Sequence, residues 1–426
     1  MTIRSEINPL KKVIVHTPGV EHQYTLPENT FEWTKDRDGK MIHNPDYLLF
    51  DDLISPSLMK DEHSQLVSIL KTFTGDKNTL QFCDLLLDVL NNDGARSDLL
   101  EQCLALDNEL YKCDLSFDKQ MILDLDPFQF LNVLLSGRMN KNGVHHYLRW
   151  PLPNLIFTRD IAVMLGNTLL LTWGKRNVRK REMLLTSFLA YNQSIFEPIA
   201  LFDFHKLYPD LSIEGGDIIL FDESTLFIGL SERNSKESID GILPLCYEEG
   251  FNQIIVVDLP KTRAIMHLDT IFSRISEEDI LVYPPLFHQK EIKGQTISFY
   301  YIEKNQSIFD VNPVNHSLEN CLKEIGYNLN PVYCGGKEPI SQEREQWSDG
   351  ANAFALESGK IISYARNQET LKELEKFDYK SIDAVTYCRE KDHWLNYDGK
   401  LNITIDSAEL PRGRGGPRCL TMPLDR

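Results

Sequence analysis

Over 426 residues the chain sets 63 acidic against 45 basic side chains, a net charge of −18 that repels polyanions, excludes a general nucleic-acid backbone binder and draws in small cations. With 42% apolar and 25% charged residues it is a globular protein rather than a disordered one, and its length allows one large domain or two ordinary ones. The first residues lack the apolar core of a secretion signal, and no stretch approaches the ~18 uninterrupted apolar residues of a spanning helix, so a cytoplasmic protein without membrane partners is expected.

The opening "PLKKVIVHTPG" predicts a short buried strand closed by a Pro-Gly turn, and apolar residues at helical spacing from about Leu58 to Phe73 predict a helix. From Thr79 to Met139, "LQFCDLLLDVL", "SDLLEQCLALDNEL", "DKQMILDLD" and "PFQFLNVLLSGRM" repeat the helical period between short polar breaks, predicting a bundle of four or five helices. Beyond about Leu148 come short β-rich runs, "NTLLLTW", "DIILFD", "STLFIGL", "QIIVVDL" and "DILVYPP", interleaved with helical segments such as "KREMLLTSFLAYN" and "QETLKELEKF". Strands alternating with helices give an α/β architecture. The first strand and helix share that texture, so residues 1–75 and 148–426 read as one α/β body and 76–147 as an inserted helical bundle. No sequence repeat is visible, so any internal symmetry must be structural.

The eight cysteines, Cys83, Cys103, Cys113, Cys246, Cys321, Cys334, Cys388 and Cys419, are scattered, with no C-x-x-C pair and no Cys/His cluster at zinc spacing. They read as thiols in a reducing compartment, and neither a metal nor another cofactor is expected.

Four stretches place polar residues where buried strand ends are expected: "PLPNLIFTRD" (151–160), "LSIEGGD" (211–217), "MHLDT" (266–270) and "RGRGGPRC" (412–419). Charges in such positions are paired or functional. Singly, each has a plain explanation: an Arg-Asp pair on a loop, a glycine turn between solvated acids, a histidine beside a helix-capping aspartate, a basic tail. Together they supply a cysteine, a histidine, carboxylates and arginines. Cysteine with histidine is a nucleophile and proton-shuttle pair. The carboxylates Asp160, Glu214 and Asp269 suit a planar cation, since two aspartates can grip the fixed fork of a guanidinium by charge-assisted bonds and hold its central carbon for thiolate attack.

With these motifs the chain resembles the arginine deiminases of the guanidine-modifying, or pentein, superfamily. The likeness runs from "SEI" and "VHTPG" through "LLFDD" with "EH", "PLPNLIFTRD", "RKRE", "SIEGGD", "GLSER" and "MHLDT" to "RGRGGPRCLTMPL". It implies a catalytic α/β propeller of five αβ units about a pseudo-fivefold axis, with the helical bundle inserted after the first. It also implies hydrolysis of free L-arginine to L-citrulline and ammonia through a covalent cysteine thiouronium, in a homo-oligomer. Carried onto this sequence, Cys419 matches the nucleophile, His267 the general acid and base, Glu214 the acid beside it, and Asp160 and Asp269 the guanidinium clamps. Arg179, Arg233 and Arg414 match positions that contact the substrate carboxylate, with Asn154 and Asp217 in motifs that help to hold its other polar end. For Arg181 and Arg418 a structural ion pair near the site is at least as good a reading.

One departure stands out. "REKDHWLNYDGKLNITIDSA" (389–408) exceeds the short connection expected, and reads as a surface hairpin turning at "NYDGK", or as an element that borders the site. Cys388 and His393 lie at its start but lack the flanking pattern that supports Cys419 and His267. The alternatives are a related guanidino-compound hydrolase, an ornithine-forming arginine dihydrolase, an amidinotransferase, and a non-catalytic arginine-binding protein on the same scaffold.

Overall fold

The apolar runs become strands whose side chains are buried on both faces: Ile254, Ile255, Val256 and Val257 of the strand Gln253–Asp258 are all fully shielded from solvent. β-Branched residues fill such pleated surfaces well. The computed structural model describes residues 1–36, 38–112, 117–140, 144–289, 291–292 and 294–426. Cys113 lies outside them; the other seven cysteines are free thiols. Among the described residues no helix is long and apolar enough to cross a membrane.

The architecture is mixed α/β. Five sheets of three or four strands repeat one pattern, in which a first strand pairs antiparallel with a second and the second pairs parallel with a third. Met422–Asp425 runs against Lys12–Val15, which pairs parallel with Thr79–Gln81. Ala162–Leu165, Thr168–Leu171 and Ala200–Asp203 form the next sheet in the same sense. Ile218–Leu220, Thr225–Leu230 and Gln253–Asp258 follow, extended by Ser298–Glu303. Phe272–Arg274, Asp279–Val282 and Asn330–Tyr333 form the fourth. In the fifth, Phe354–Glu357 opposes Lys360–Tyr364, which lies parallel to Leu401–Ile405. A repeat absent from the sequence is present in the strand pairing.

The helix expected from Leu58 is Pro56–Thr74, with its apolar face of Met59, Leu66, Ile69 and Leu70 buried and Gly75 at its end in a positive-φ conformation. In the helical block lie Phe82–Leu90, Asp93–Tyr111, Gln120–Leu123 and Pro127–Ser136. Thr79–Gln81, counted with that block in the sequence, belongs to the first sheet instead. The expected hairpin at 389–408 is also corrected. Lys391–Leu395 is a short helix, and Leu401–Ile405 is an inner strand held between Lys360–Tyr364 and Lys380–Asp383, with Leu401, Ile403 and Ile405 buried.

Candidate active site

The four chemical motifs share one structural address. Each is the turn that leads into the first strand of a sheet: Asp160 before Ala162–Leu165, Glu214 before Ile218–Leu220, His267 and Asp269 before Phe272–Arg274, and Cys419 before Met422–Asp425. Each of these side chains is buried. Four elements thus present their chemistry at matching ends, where short 3-10 turns such as Gly215–Asp217 and Leu268–Thr270 leave backbone donors for local carboxylates.

One cluster centres on His267. Its Nε2 lies 3.0 Å from Glu214 Oε2 and its Nδ1 lies 3.8 Å from Asp160 Oδ1. Burial alone would disfavour the imidazolium, but the Asp160 charge, the Glu214 hydrogen bond and the Asp217 charge outweigh it and raise His267 to about 9. Burial pushes Glu214 the other way from its partners, and Arg233, His267 and Arg179 together hold its carboxyl well below the usual range. Gly216 permits this packing: a Cβ there would fall 2.6 Å from His267 Nδ1 and 2.9 Å from Asp160 Oδ1.

A second cluster centres on the thiol. Cys419 Sγ lies 3.4 Å from Asp269 Oδ2 and accepts a hydrogen bond from Asn352 Nδ2 at 3.2 Å. Burial, reinforced by Asp269, Asp160 and Asp349 and opposed by Arg418, raises the thiol well above its ordinary value. Asp269 Oδ1 is buried without a hydrogen-bond partner. Around Cys419, Gly415 and Gly416 admit Phe157 and Asn352 against the backbone, since a Cβ would meet them at 2.3 Å and 2.6 Å.

The arginines divide by what they meet. Arg418 is a buried structural bridge: its Nε and Nη2 reach Glu6, its Nη1 donates to Asp269 Oδ2 at 2.7 Å, and Nη2 also donates to the Ile218 carbonyl. Arg181 joins Asp107 of the helical block to the helix Asn177–Asn192. Arg179, read as a substrate contact, meets Asp160 Oδ2 at 2.5 Å and Glu182 Oε2 at 2.8 Å. Arg233 donates to Glu232 and to Glu214 Oε2. Arg414 stacks on Trp347, its guanidinium carbon 3.7 Å from the ring centroid, donates to the Trp347 carbonyl and stands 3.6 Å from Asp51. Its φ of 67° lies in the left-handed region, a strained conformation for a residue with a Cβ, directly before the two glycines.

Asn154 donates to the Leu48 carbonyl at 2.9 Å while its own carbonyl accepts from Arg179. At Asp217 both oxygens have protein partners, Oδ1 accepting from the Leu268 backbone and Oδ2 from Ser231 and Asn234. The carboxylate ties the "EGGD" turn to the "HLDT" turn. Cys388 and His393 stand apart from this site, the thiol accepting from Thr72 and the ring packing on Trp394.

Two residues escaped the sequence reading. Glu6 carries Arg418, and Asn352 touches the thiol. Glu6 lies in the quoted "SEI", but nothing there names its partner. Asn352, in "DGAN", looks like an ordinary turn residue.

Asp160, Glu214 and His267 bring donor atoms within 4.8 Å of one another, a spacing that could hold a metal ion. Arg179 and Arg233 already neutralise the two carboxylates, which makes the trio a poor cation cage and a good proton-handling group.

A model of the arginine deiminase family matches residues 46–426. The arginine deiminase of Listeria monocytogenes serotype 4a is 27% identical over 445 residues, which span 100% of this chain and 98% of that protein. The arginine deiminase of Mycoplasma capricolum is 28% identical over 440 residues, spanning 100% and 97%. Among solved structures, a dimethylarginine dimethylaminohydrolase superposes with a TM-score of 0.48 at 12% identity over 97% of this chain and 100% of its own. The N-terminal domain of ArgZ, an arginine dihydrolase, does so with a TM-score of 0.42 at 17% identity over 65% and 77%. The family match takes in the turns that carry Asp160, Glu214, His267, Asp269 and Cys419, and the chain belongs to the arginine deiminase family.

Proposed function

We propose that this chain hydrolyses free L-arginine to L-citrulline and ammonia, with Cys419 as nucleophile. The observation that carries the reading is a buried thiol and a buried imidazole flanked by Asp160 and Asp269, one of whose oxygens lacks any partner. Each aspartate is already paired, Asp160 with Arg179 and Asp269 with Arg418, so an incoming guanidinium shares or displaces those cations. A guanidinium between the two aspartates adds positive charge beside the sulfur, and that charge favours the thiolate form of Cys419.

The thiolate attacks the guanidinium carbon while protonated His267, held in that state by Asp160 and Glu214, donates to the departing nitrogen, which leaves as ammonia. The product of this step is an S-alkylthiouronium on Cys419. His267, now neutral, takes a proton from water, the hydroxide adds to the same carbon, and collapse returns the sulfur as thiolate and releases citrulline, the proton of the added hydroxyl passing to solvent, where the ammonia takes it up. Arginine and water enter; citrulline and ammonium leave.

Arg179, Arg233 and Arg414 hold the carboxylate of the substrate, and the Asn154 motif helps to hold its other polar end. Arg179 exchanges its bond to Asp160 for the incoming carboxylate as the substrate guanidinium takes its place, so one ion pair is broken and two are formed. Asp217 acts by fixing the His267 turn. Residues 1–75 and 148–426, together with the strand Thr79–Gln81, form the catalytic body, five αβ units around a pseudo-fivefold axis with the helical block that follows that strand inserted. The five-fold repeat of one strand-pairing pattern supports that arrangement. The enzyme works in the cytoplasm as a homo-oligomer.

Incubation of the purified chain with arginine, followed by assay of ammonia, citrulline and ornithine, tests the reading. One citrulline for each ammonia is expected. Ornithine with two ammonia, or saturable arginine binding without either product, would overturn it.

A further inference from the structure

Four of the five sheets contribute a site residue from the turn before their first strand. The fifth sheet begins at Phe354, and the residue at the matching place is Asn352. It is buried, and its carboxamide makes four contacts at once. Nδ2 donates to Cys419 Sγ at 3.2 Å and to the Asp269 carbonyl at 2.9 Å, while Oδ1 accepts from the backbone N–H of Arg418 at 3.1 Å and of Cys419 at 3.2 Å. Gly416 leaves room for this approach, since a Cβ there would lie 2.7 Å from Asn352 Oδ1. The same segment grips the neighbouring turn, with Gln346 Nε2 donating to the Ala264 and Thr270 carbonyls.

We infer that Asn352 is a catalytic residue of this site, the fixed N–H donor that stabilises the Cys419 thiolate and aims it. The inference rests on the proposed role of Cys419 as nucleophile. The groups facing Cys419 are mostly adverse to negative charge on sulfur: Asp269, Asp160 and Asp349 repel it, and Tyr364 lies close enough to feel it. Arg418 and Arg159 are the opposing cations, but Arg418 is spent on Glu6 and Asp269, and Arg159 Nε reaches only the Arg418 carbonyl. Asn352 alone among the described neutral side chains donates directly to the sulfur. Hydrogen bonds to ionised groups are stronger than neutral ones, so the contact strengthens as the proton leaves. When the thiouronium forms, the sulfur loses its charge and the contact weakens; the donor thus acts by raising the share of thiolate before attack and by stabilising the sulfur again as it leaves.

The deciding readout, alkylation, needs no arginine, so it stands apart from the identity of the substrate. Alkylation of Cys419 by iodoacetamide, located by peptide mapping, is followed from pH 7 to 10 in the full chain and in Asn352→Ala. Loss of the donor should displace the rising limb upward by about one pH unit, roughly tenfold slower at each pH, with a matching fall in kcat and little change in KM. An unchanged alkylation profile in the folded variant overturns the inference. Should Asn352→Ala fail to fold, the unmutated chain decides: with carboxamide-labelled asparagine, one side-chain resonance should titrate with the midpoint of Cys419 alkylation. If no asparagine carboxamide follows that midpoint, Asn352 does not sense the thiolate and the inference fails.

Discussion

Gly216→Ala puts a single methyl group between the two halves of the proton-handling cluster. The new Cβ would stand 2.6 Å from His267 Nδ1, 2.8 Å from its Cγ and 2.9 Å from Asp160 Oδ1. Ordinary contact lies at roughly 3.5 Å, so the imidazole must retreat by about 0.9 Å or the turn must open by as much. The φ of Gly216 is not positive, so alanine meets no backbone penalty and the cost is steric alone. A displacement of that size at a reacting group lowers kcat by about a hundredfold, whereas overpacking costs ~1–3 kcal/mol of stability. Steady-state citrulline formation and thermal melting on the same preparation separate the two effects. A folded Gly216→Ala enzyme with kcat within about threefold of the parent would refute the claim that this turn sets the His267 position.

Arg181→Met should leave kcat and KM unchanged while destabilising the fold by ~3 kcal/mol, because it strands buried Asp107 without its guanidinium; a scanning melt checks this. The pH dependence of stability has a fixed sign at His267. Raised to about 9 from 6.5, it contributes stabilisation that is complete below pH 6.5 and lost as pH climbs through about 9, so the melting advantage of the parent over His267→Gln should shrink across that window. Deimination should fall over the same alkaline limb as the general acid loses its proton, and a pH-rate profile rising through pH 9 would contradict the assignment. Chelators should leave the rate unchanged, since Arg179 and Arg233 already balance the only described trio able to bind a metal; a rate restored by added zinc after chelation would say otherwise.

What could be read in advance follows from where the information lies. The strand ends carrying Asp160, Glu214, His267 and Cys419 announce themselves because charge in an apolar run is costly unless used or paired. Helices such as Pro56–Thr74 announce themselves by period. Partners do not. Nothing in "EGGD" tells that Asp217 spends both oxygens on Ser231 and the Leu268 N–H, and nothing in "VRKRE" tells that Arg179 rests on Asp160 and Glu182. The strand Leu401–Ile405 hid behind polar neighbours, because an inner parallel strand of five residues with Asn402 and Thr404 alternates like a surface hairpin. Asn402 is nonetheless buried, bonded to Ser363 and Ser381. Asn352 hid for a related reason: its setting is a turn, and only the repetition of one strand pattern five times gives that turn its meaning.

The central claim is that Cys419 forms a bond to the guanidinium carbon of arginine. Rapid acid quenching of the enzyme with excess arginine, followed by intact-mass and peptide analysis, addresses it directly. The account predicts an adduct of the mass of arginine less ammonia on the peptide containing Cys419, absent in Cys419→Ser, which should also lose turnover. Undiminished citrulline formation by Cys419→Ser, or an adduct on another residue, would contradict it.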